Sequence, residues 1–287
     1  MKVGVIGAGA WGTALAVVSC RGGADVVMWS FDGQYASFDG VKMPKKLRMT
    51  QEISEMKKMD AWLVATPAAF FRETLLRARD FYHGQPIIIC TKGAEPTTGE
   101  FMSEILSDVL PKCKNFGVLS GPQFAAEVAR GVPTGSTLAG TKVARKAGHE
   151  ILNKLYLSDS DDVIGVQMCG VGKNAVALIC GYNFIASNGE NERAMIFTRA
   201  WNEVAMVGKK MGAKIETFLD LCGIGDLFLS ATSETSRNFA GGMAIARGEA
   251  IVGTVEGISA LRGIISRAKA LKVPTPILEQ MRDKLKI

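Results

Sequence analysis

The 287-residue chain predicts an α/β fold class, with a doubly wound, mostly parallel sheet first and an all-α part after it. Three observations predict this. Short apolar runs alternate with helical patterns up to about residue 166, the rhythm of βαβ units. A glycine-rich turn, Gly7-Ala8-Gly9-Ala10-Trp11-Gly12, joins the first apolar run to the first helical pattern. From Gln167 onward a 3.6-residue period takes over and β-branched clusters become sparse. The chain therefore divides into a domain at 1–166 and a second at 167–287, with no internal repeat and no low-complexity linker.

Strands are expected at 2–6, 25–30, 61–66, 86–91 and 115–120, and further ones at 136–139 and 162–166. In a parallel sheet the carboxyl ends of the strands lie along one edge, and ligands bind outside that edge. The glycine loop, Phe31, Phe70, Lys92 and Gln123 are thus expected to converge on one crevice. Pro122 suits the first position of a helix closed near Gly131.

Composition narrows the function classes. Formal charge is +6 and the pI is about 9, without a basic block. That balance suits a solvated surface or anionic small molecules. Nucleic acid is disfavoured, because no basic run is interleaved with aromatics. Six cysteines (20, 90, 113, 169, 180 and 222) form no CxxC and mostly sit in apolar runs, so reduced core cysteines are expected. Only two histidines occur, His83 and His149, both in polar contexts. No zinc set, histidine acid/base or Ser-His triad is expected, which leaves lysine as the first suspect for proton transfer. The N-terminus superficially resembles a signal peptide, but Gly4, Gly7, Gly9 and Gly12 oppose a membrane-inserting helix. No later run of 18 uncharged apolar residues follows, so a cytoplasmic protein without stable membrane insertion is expected.

The glycine turn follows a strand and opens a helix, the context in which GxGxxG binds a dinucleotide. Gly7 allows the tight turn, Gly9 lets the backbone approach a pyrophosphate, and Gly12 lets helix and strand pack closely. The N–H groups of the first helical turn face the phosphates. Asp32, just past the second strand, suits the adenosine ribose hydroxyls. Phe31 could instead stack on the adenine and leave Asp32 in a turn with Gly33, so the choice between NAD and NADP stays open.

Lys173 is the only charged side chain between Val163 and Gly189. A buried ammonium is costly unless paired, so it either snorkels to the surface or serves a site. Asp226 lies among glycines and apolar residues, as a helix cap or as the partner of Lys173. Lys92 follows a strand end, as a solvated charge or a ligand contact. Ser236 suits a helix N-cap, with Arg237 and Asn238 in the first turn. Arginine is better placed at the other end of a helix, and here the pair suits a phosphate or a plain exposed cap.

Together the segments GAGAWGTALA, TKGAE, SGPQFAAEVARG, IGVQMCGVGKNAVALICG, GIGDLFLS, SRN and VEG resemble the NAD(P)-dependent glycerol-3-phosphate dehydrogenases of the bacterial type. They occur in family order over nearly the whole chain. The resemblance implies a Rossmann-type N-terminal domain, a helical C-terminal domain, a site between them and a homodimer. It implies interconversion of dihydroxyacetone phosphate and sn-glycerol 3-phosphate with NAD or NADP, supplying phospholipid synthesis. By the same resemblance Lys173 is the catalytic proton donor and acceptor, with Lys92 and Asp226 beside it. The phosphate falls to Ser236, Arg237 and Asn238, and the rest of the substrate to Gly121, Gln123 and Ser230, the last where the family often has threonine. Cofactor positions are the glycine turn with Ala10 and Trp11, then Phe31, Asp32, Pro67, Phe70, Lys92, Ala125, Arg237, Thr254 and Glu256. The chain departs from the family in a short connection over 32–45, a trimmed stretch between Asn238 and Glu256, and Gln123 in place of a smaller polar residue or asparagine.

Two other readings compete. A related β-hydroxyacid dehydrogenase acting on another small acid leaves Arg237 and Asn238 without a purpose. A non-catalytic dinucleotide-binding sensor leaves the lysines without one.

Overall fold

The structure is a computed structural model and describes residues 1–251, 253 and 255–287. Thr254 lies outside the described residues. The chain forms two compact units, Met1–Val163 and Ile164–Ile287.

In the first unit β1 (Lys2–Ile6), α1 (Ala10–Arg21), β2 (Asp25–Trp29), β3 (Leu47–Thr50) and β4 (Ala61–Val64) come first. Then follow α2 (Ala68–Ala78), β5 (Ile87–Ile89), α3 (Met102–Val109), β6 (Phe116–Ser120), α4 (Ala125–Arg130), β7 (Gly135–Gly140), α5 (Lys142–Ile151) and β8 (Tyr156–Ser160). One eight-stranded sheet has the order β3-β2-β1-β4-β5-β6-β7-β8. The first six strands of that order are mutually parallel, β7 runs antiparallel to β6, and β8 is parallel to β7. The 3-2-1-4-5-6 order is that of a dinucleotide-binding sheet, with its switch point between β1 and β4. The central strands are buried on both faces, which is why they read as unbroken apolar runs: Val3, Val5, Leu63 and Ile88 are fully buried.

Two expected elements differ. No strand covers 162–166; β8 lies at Tyr156–Ser160, and a helix begins at Val163. A short apolar run has no period that separates a strand from the first turn of a buried helix. Asp161 and Asp162 precede that helix, where negative charge suits the dipole. A boundary at residue 166 falls inside its first turn. α4 starts at Ala125 with Phe124 at the cap position, so Pro122 sits in the preceding turn, while Gly131 closes the helix at φ 88°. β3 had no clear signal, because an edge strand with Arg48 exposed lacks alternation.

The second unit is helical. It holds α6 (Val163–Ala186), α7 (Glu190–Lys210), α8 (Asp226–Ala231), α9 (Arg237–Arg247), α10 (Glu256–Ala270) and α11 (Pro276–Leu285). By length and composition α6 is apolar enough to cross a membrane, and most of it is buried within the structure. Its glycines let neighbours approach to backbone contact. A Cβ on Gly181 would lie 1.9 Å from the Phe239 carbonyl oxygen on α9, and one on Gly242 would lie 2.1 Å from the Leu178 oxygen. Glu203 of α7 caps the start of α11, accepting from the Ile277 and Leu278 N–H groups at 2.9 Å each.

Candidate active site

The ends of β1, β2 and β4 bring Gly7, Gly9, Phe31, Asp32, Pro67 and Phe70 around one cleft of about 520 Å³. Gly7 takes φ 107°, and a Cβ on Gly12 would lie 1.9 Å from its carbonyl oxygen. The space beside Gly9 is open, with nothing within 4 Å of where a Cβ would stand. The first-turn N–H groups of α1 have no intrahelical acceptor. Thr66, at the floor of the cleft, has a buried hydroxyl without a hydrogen-bond partner among the described residues. Open backbone, unused N–H donors and an unpaired buried hydroxyl fit a dinucleotide pyrophosphate and ribose. Phe31 and Phe70 are 69% and 58% exposed, large apolar surface at the mouth of the cleft. Asp32 accepts from the Ser30 hydroxyl at 2.6 Å and the Gln34 N–H at 3.0 Å, and these bonds hold its carboxyl below the usual carboxylate range.

Ala10, Trp11, Gly12 and Ala125 do not line this cleft. The Trp11 indole turns to the sheet and donates to the Cys90 carbonyl at 3.1 Å. Ala125 packs against the same core. Lys92, Gly121 and Gln123 form a separate group farther along the edge. Lys92 Nζ donates to the Gly121 carbonyl at 2.8 Å, tying the end of β5 to the end of β6. Gln123 Nε2 donates to the Ser136 hydroxyl, and its Oε1 is buried without a partner among the described residues. The stretch after Lys92 is pinned by Arg72 of α2, which donates to Glu95 at 2.9 Å and also pairs with Glu100 and Asp108.

In the second unit Lys173 neither snorkels free nor stands alone. Its Nζ donates to Asp226 Oδ1 at 2.8 Å and to the Ser230 hydroxyl at 2.9 Å. The side chains of Lys173 and Asp226 are 13% and 1% exposed. An ammonium has three N–H donors, so one is left for a ligand. A π-helical turn over Leu221–Gly225 delivers Asp226 as the first residue of α8, with Gly225 in the cap position. Asp226 is therefore a partner for the lysine and not a cap. Such turns are frequent at functional sites.

Next to Lys173, Asn174 joins three of the quoted motifs. Its Oδ1 accepts from Asn238 Nδ2 at 2.9 Å and its Nδ2 donates to Glu256 at 3.1 Å. Asn238 Oδ1 in turn accepts from the Gly257 N–H at 2.8 Å. Asn238 is thus buried and committed, with one amide N–H to spare, whereas Arg237 beside it is exposed. Ser236 caps α9, its hydroxyl accepting from the Phe239 N–H. Sequence reasoning missed Asn174, whose only signal was its place in GKN. It also missed Thr66 and the charged pair Glu73 and Arg77, which line the dinucleotide cleft from α2.

Comparison with known proteins identifies the family. The models for the N-terminus and C-terminus of NAD-dependent glycerol-3-phosphate dehydrogenase match residues 2–145 and 162–286. A glycerol-3-phosphate dehydrogenase (NAD(P)+) of Parvibaculum lavamentivorans is 36% identical, over 97% of this chain and 90% of its own. One of Afipia carboxidovorans is 37% identical, over 99% and 91%. The crystal structure of the glycerol-3-phosphate dehydrogenase of Coxiella burnetii matches with a TM-score of 0.89 at 27% identity, over 99% of this chain and 94% of that one. Both units are covered by these matches, so the chain belongs to the NAD-dependent glycerol-3-phosphate dehydrogenase family.

Proposed function

We propose that the chain reduces dihydroxyacetone phosphate to sn-glycerol 3-phosphate, and runs the reverse oxidation, with NAD(P)H. The observation that carries this reading is the buried Lys173–Asp226–Ser230 cluster with one ammonium N–H unused. The nicotinamide cofactor, when bound, supplies the hydride that C2 of the ketone gains. Lys173 gives the proton that the C2 oxygen gains, and takes it back in the oxidation. Asp226 holds the ammonium in place, and its opposite charge makes the buried ammonium tolerable. Ser230 fixes the second N–H and thereby the direction of the third. Lys92 adds positive charge where negative charge develops on the oxygen.

Arg237 takes the phosphate, with the free N–H groups at the start of α9 and the spare amide of Asn238. Binding energy at that remote group positions the carbonyl, so it is spent on catalysis as well as on affinity. Gly121 and Gln123 contact the remainder of the substrate. The first unit binds the dinucleotide at the glycine turn, with Phe31 and Phe70 against the adenine. A cytoplasmic homodimer is part of the same reading, by family likeness.

The test is substrate discrimination. Purified protein with NADH or NADPH is offered dihydroxyacetone phosphate, dihydroxyacetone and small oxo-acids, and absorbance of the reduced nicotinamide is followed. Oxidation with the phosphorylated ketone alone supports the assignment. Faster turnover of an unphosphorylated oxo-acid overturns it.

A further inference from the structure

At the adenosine end of the dinucleotide cleft three charged side chains stand together, and the reaction above uses none of them for chemistry. Arg77 of α2 lies with its guanidinium 5.0 Å from the centroid of the Phe31 ring. Glu73, one turn earlier, accepts from Arg77 through Nε at 3.2 Å and Nη2 at 2.6 Å. Asp32 lines the same cleft, its carboxylate held in its own turn by Ser30 and Gln34. The guanidinium thus has its Nε–Nη2 edge on a carboxylate and a face on an aromatic ring, and Glu73 offsets its charge. What remains at this end is one excess negative charge, on Asp32. A dinucleotide whose pyrophosphate lies on the glycine turn brings its adenosine ribose to the end of β2, where these groups are.

We infer that this cluster selects NADH over NADPH, and that Glu73 is a specificity-determining residue because it neutralises Arg77, the arginine that lines the cleft among the described residues. The inference rests on the dinucleotide reading of the cleft and not on the identity of the ketone. A 2′-phosphate brings about two negative charges beside Asp32 and meets no unpaired cation among the described residues that line the cleft. With Glu73 removed, the Arg77 fork is released for it, and a guanidinium binds phosphate with paired N–H donors. The Glu73–Arg77 pair is an exposed i,i+4 contact, with side chains 60% and 46% exposed, so its loss does little to the fold.

The test is calorimetric binding of ADP-ribose and 2′-phospho-ADP-ribose to the full chain, with no ketone present. The wild type is expected to bind ADP-ribose at least about tenfold more tightly. Glu73→Gln is expected to close most of that gap by strengthening 2′-phospho-ADP-ribose binding. Adding Arg77→Ala to Glu73→Gln is expected to open it again. Tighter binding of the 2′-phosphorylated probe by the wild type overturns the inference, as does an unchanged ratio in Glu73→Gln. Failure of both probes to bind overturns the dinucleotide reading beneath it, whichever ketone is reduced.

Discussion

A lysine at position 173 is tolerated in an apolar helix because Asp226 meets it at 2.8 Å and Ser230 at 2.9 Å. Breaking a buried ion pair from one side costs about 3–5 kcal/mol, because the other charge is left without a partner. Asp226→Ala is accordingly expected to lower both stability, read by urea unfolding, and turnover. Ser230→Ala removes one neutral hydrogen bond, worth about 1 kcal/mol, and is expected to cost turnover far less than Asp226→Ala does. Comparable rates in the two variants would show that orientation of the ammonium does not depend on the carboxylate. Asn238→Ala leaves the Gly257 N–H buried without an acceptor, a cost of about 1–3 kcal/mol. Arg237→Ala strands no buried group among the described residues, because Arg237 is exposed. It is expected to raise KM for the phosphorylated ketone without lowering the unfolding midpoint, and an unchanged KM would remove Arg237 from phosphate binding.

At the scale of elements, chain punctuation and period made much of the fold legible. Gly7, Gly9 and Gly12 marked the β1–α1 turn, and the isolated charge of Lys173 marked the face of α6 that meets Asp226 and Ser230. What stayed hidden depends on partners distant in sequence. β3 is an edge strand whose pairing with β2 defines it, so its own residues carry little pattern. The start of α6 at Val163 was hidden because valine and isoleucine read equally as strand. The role of Asn174 needed Asn238 and Glu256, 64 and 82 residues away. Helix crossings are similarly invisible until both glycines are seen. Gly242→Ala drives a Cβ into the backbone of α6, at 2.1 Å from the Leu178 oxygen and 2.6 Å from the Tyr182 nitrogen. Overpacking against backbone costs about 1–3 kcal/mol or more, so a clear fall in the urea midpoint is expected. An unshifted midpoint would mean that α6 and α9 part easily.

At the scale of the whole molecule, the charges predict how stability responds to acid. Hydrogen bonds from Arg48 and Thr50 bring the Glu55 carboxyl down to about 2. Hydrogen bonds from Arg72 and Thr98 lower that of Glu95. Both belong to the first unit. A carboxyl whose folded pKa is depressed contributes stability that is complete above the unfolded value, near 4.3, and is lost as pH falls through the folded value. Glu203 of the second unit has the opposite sign: burial raises its pKa, so its contribution is complete below the unfolded value and fades as pH rises through the folded one. Stability of the first unit is therefore expected to fall as pH drops below about 4.3, and Glu95→Gln is expected to flatten that fall. Urea midpoints measured from pH 6 to pH 3 check this, and an equal slope in the variant would contradict it.

Ketone reduction with Lys173 as the proton donor is the reaction proposed for this dinucleotide groove and paired lysine. It is tested most directly by following reduced-nicotinamide absorbance with dihydroxyacetone phosphate for the wild type and Lys173→Ala side by side, each shown folded by circular dichroism. Steady oxidation by the wild type is expected, with a rate lower by about 10²–10⁴ in the variant, the range that a positioned acid or base contributes. A folded Lys173→Ala enzyme that keeps the wild-type rate would contradict it.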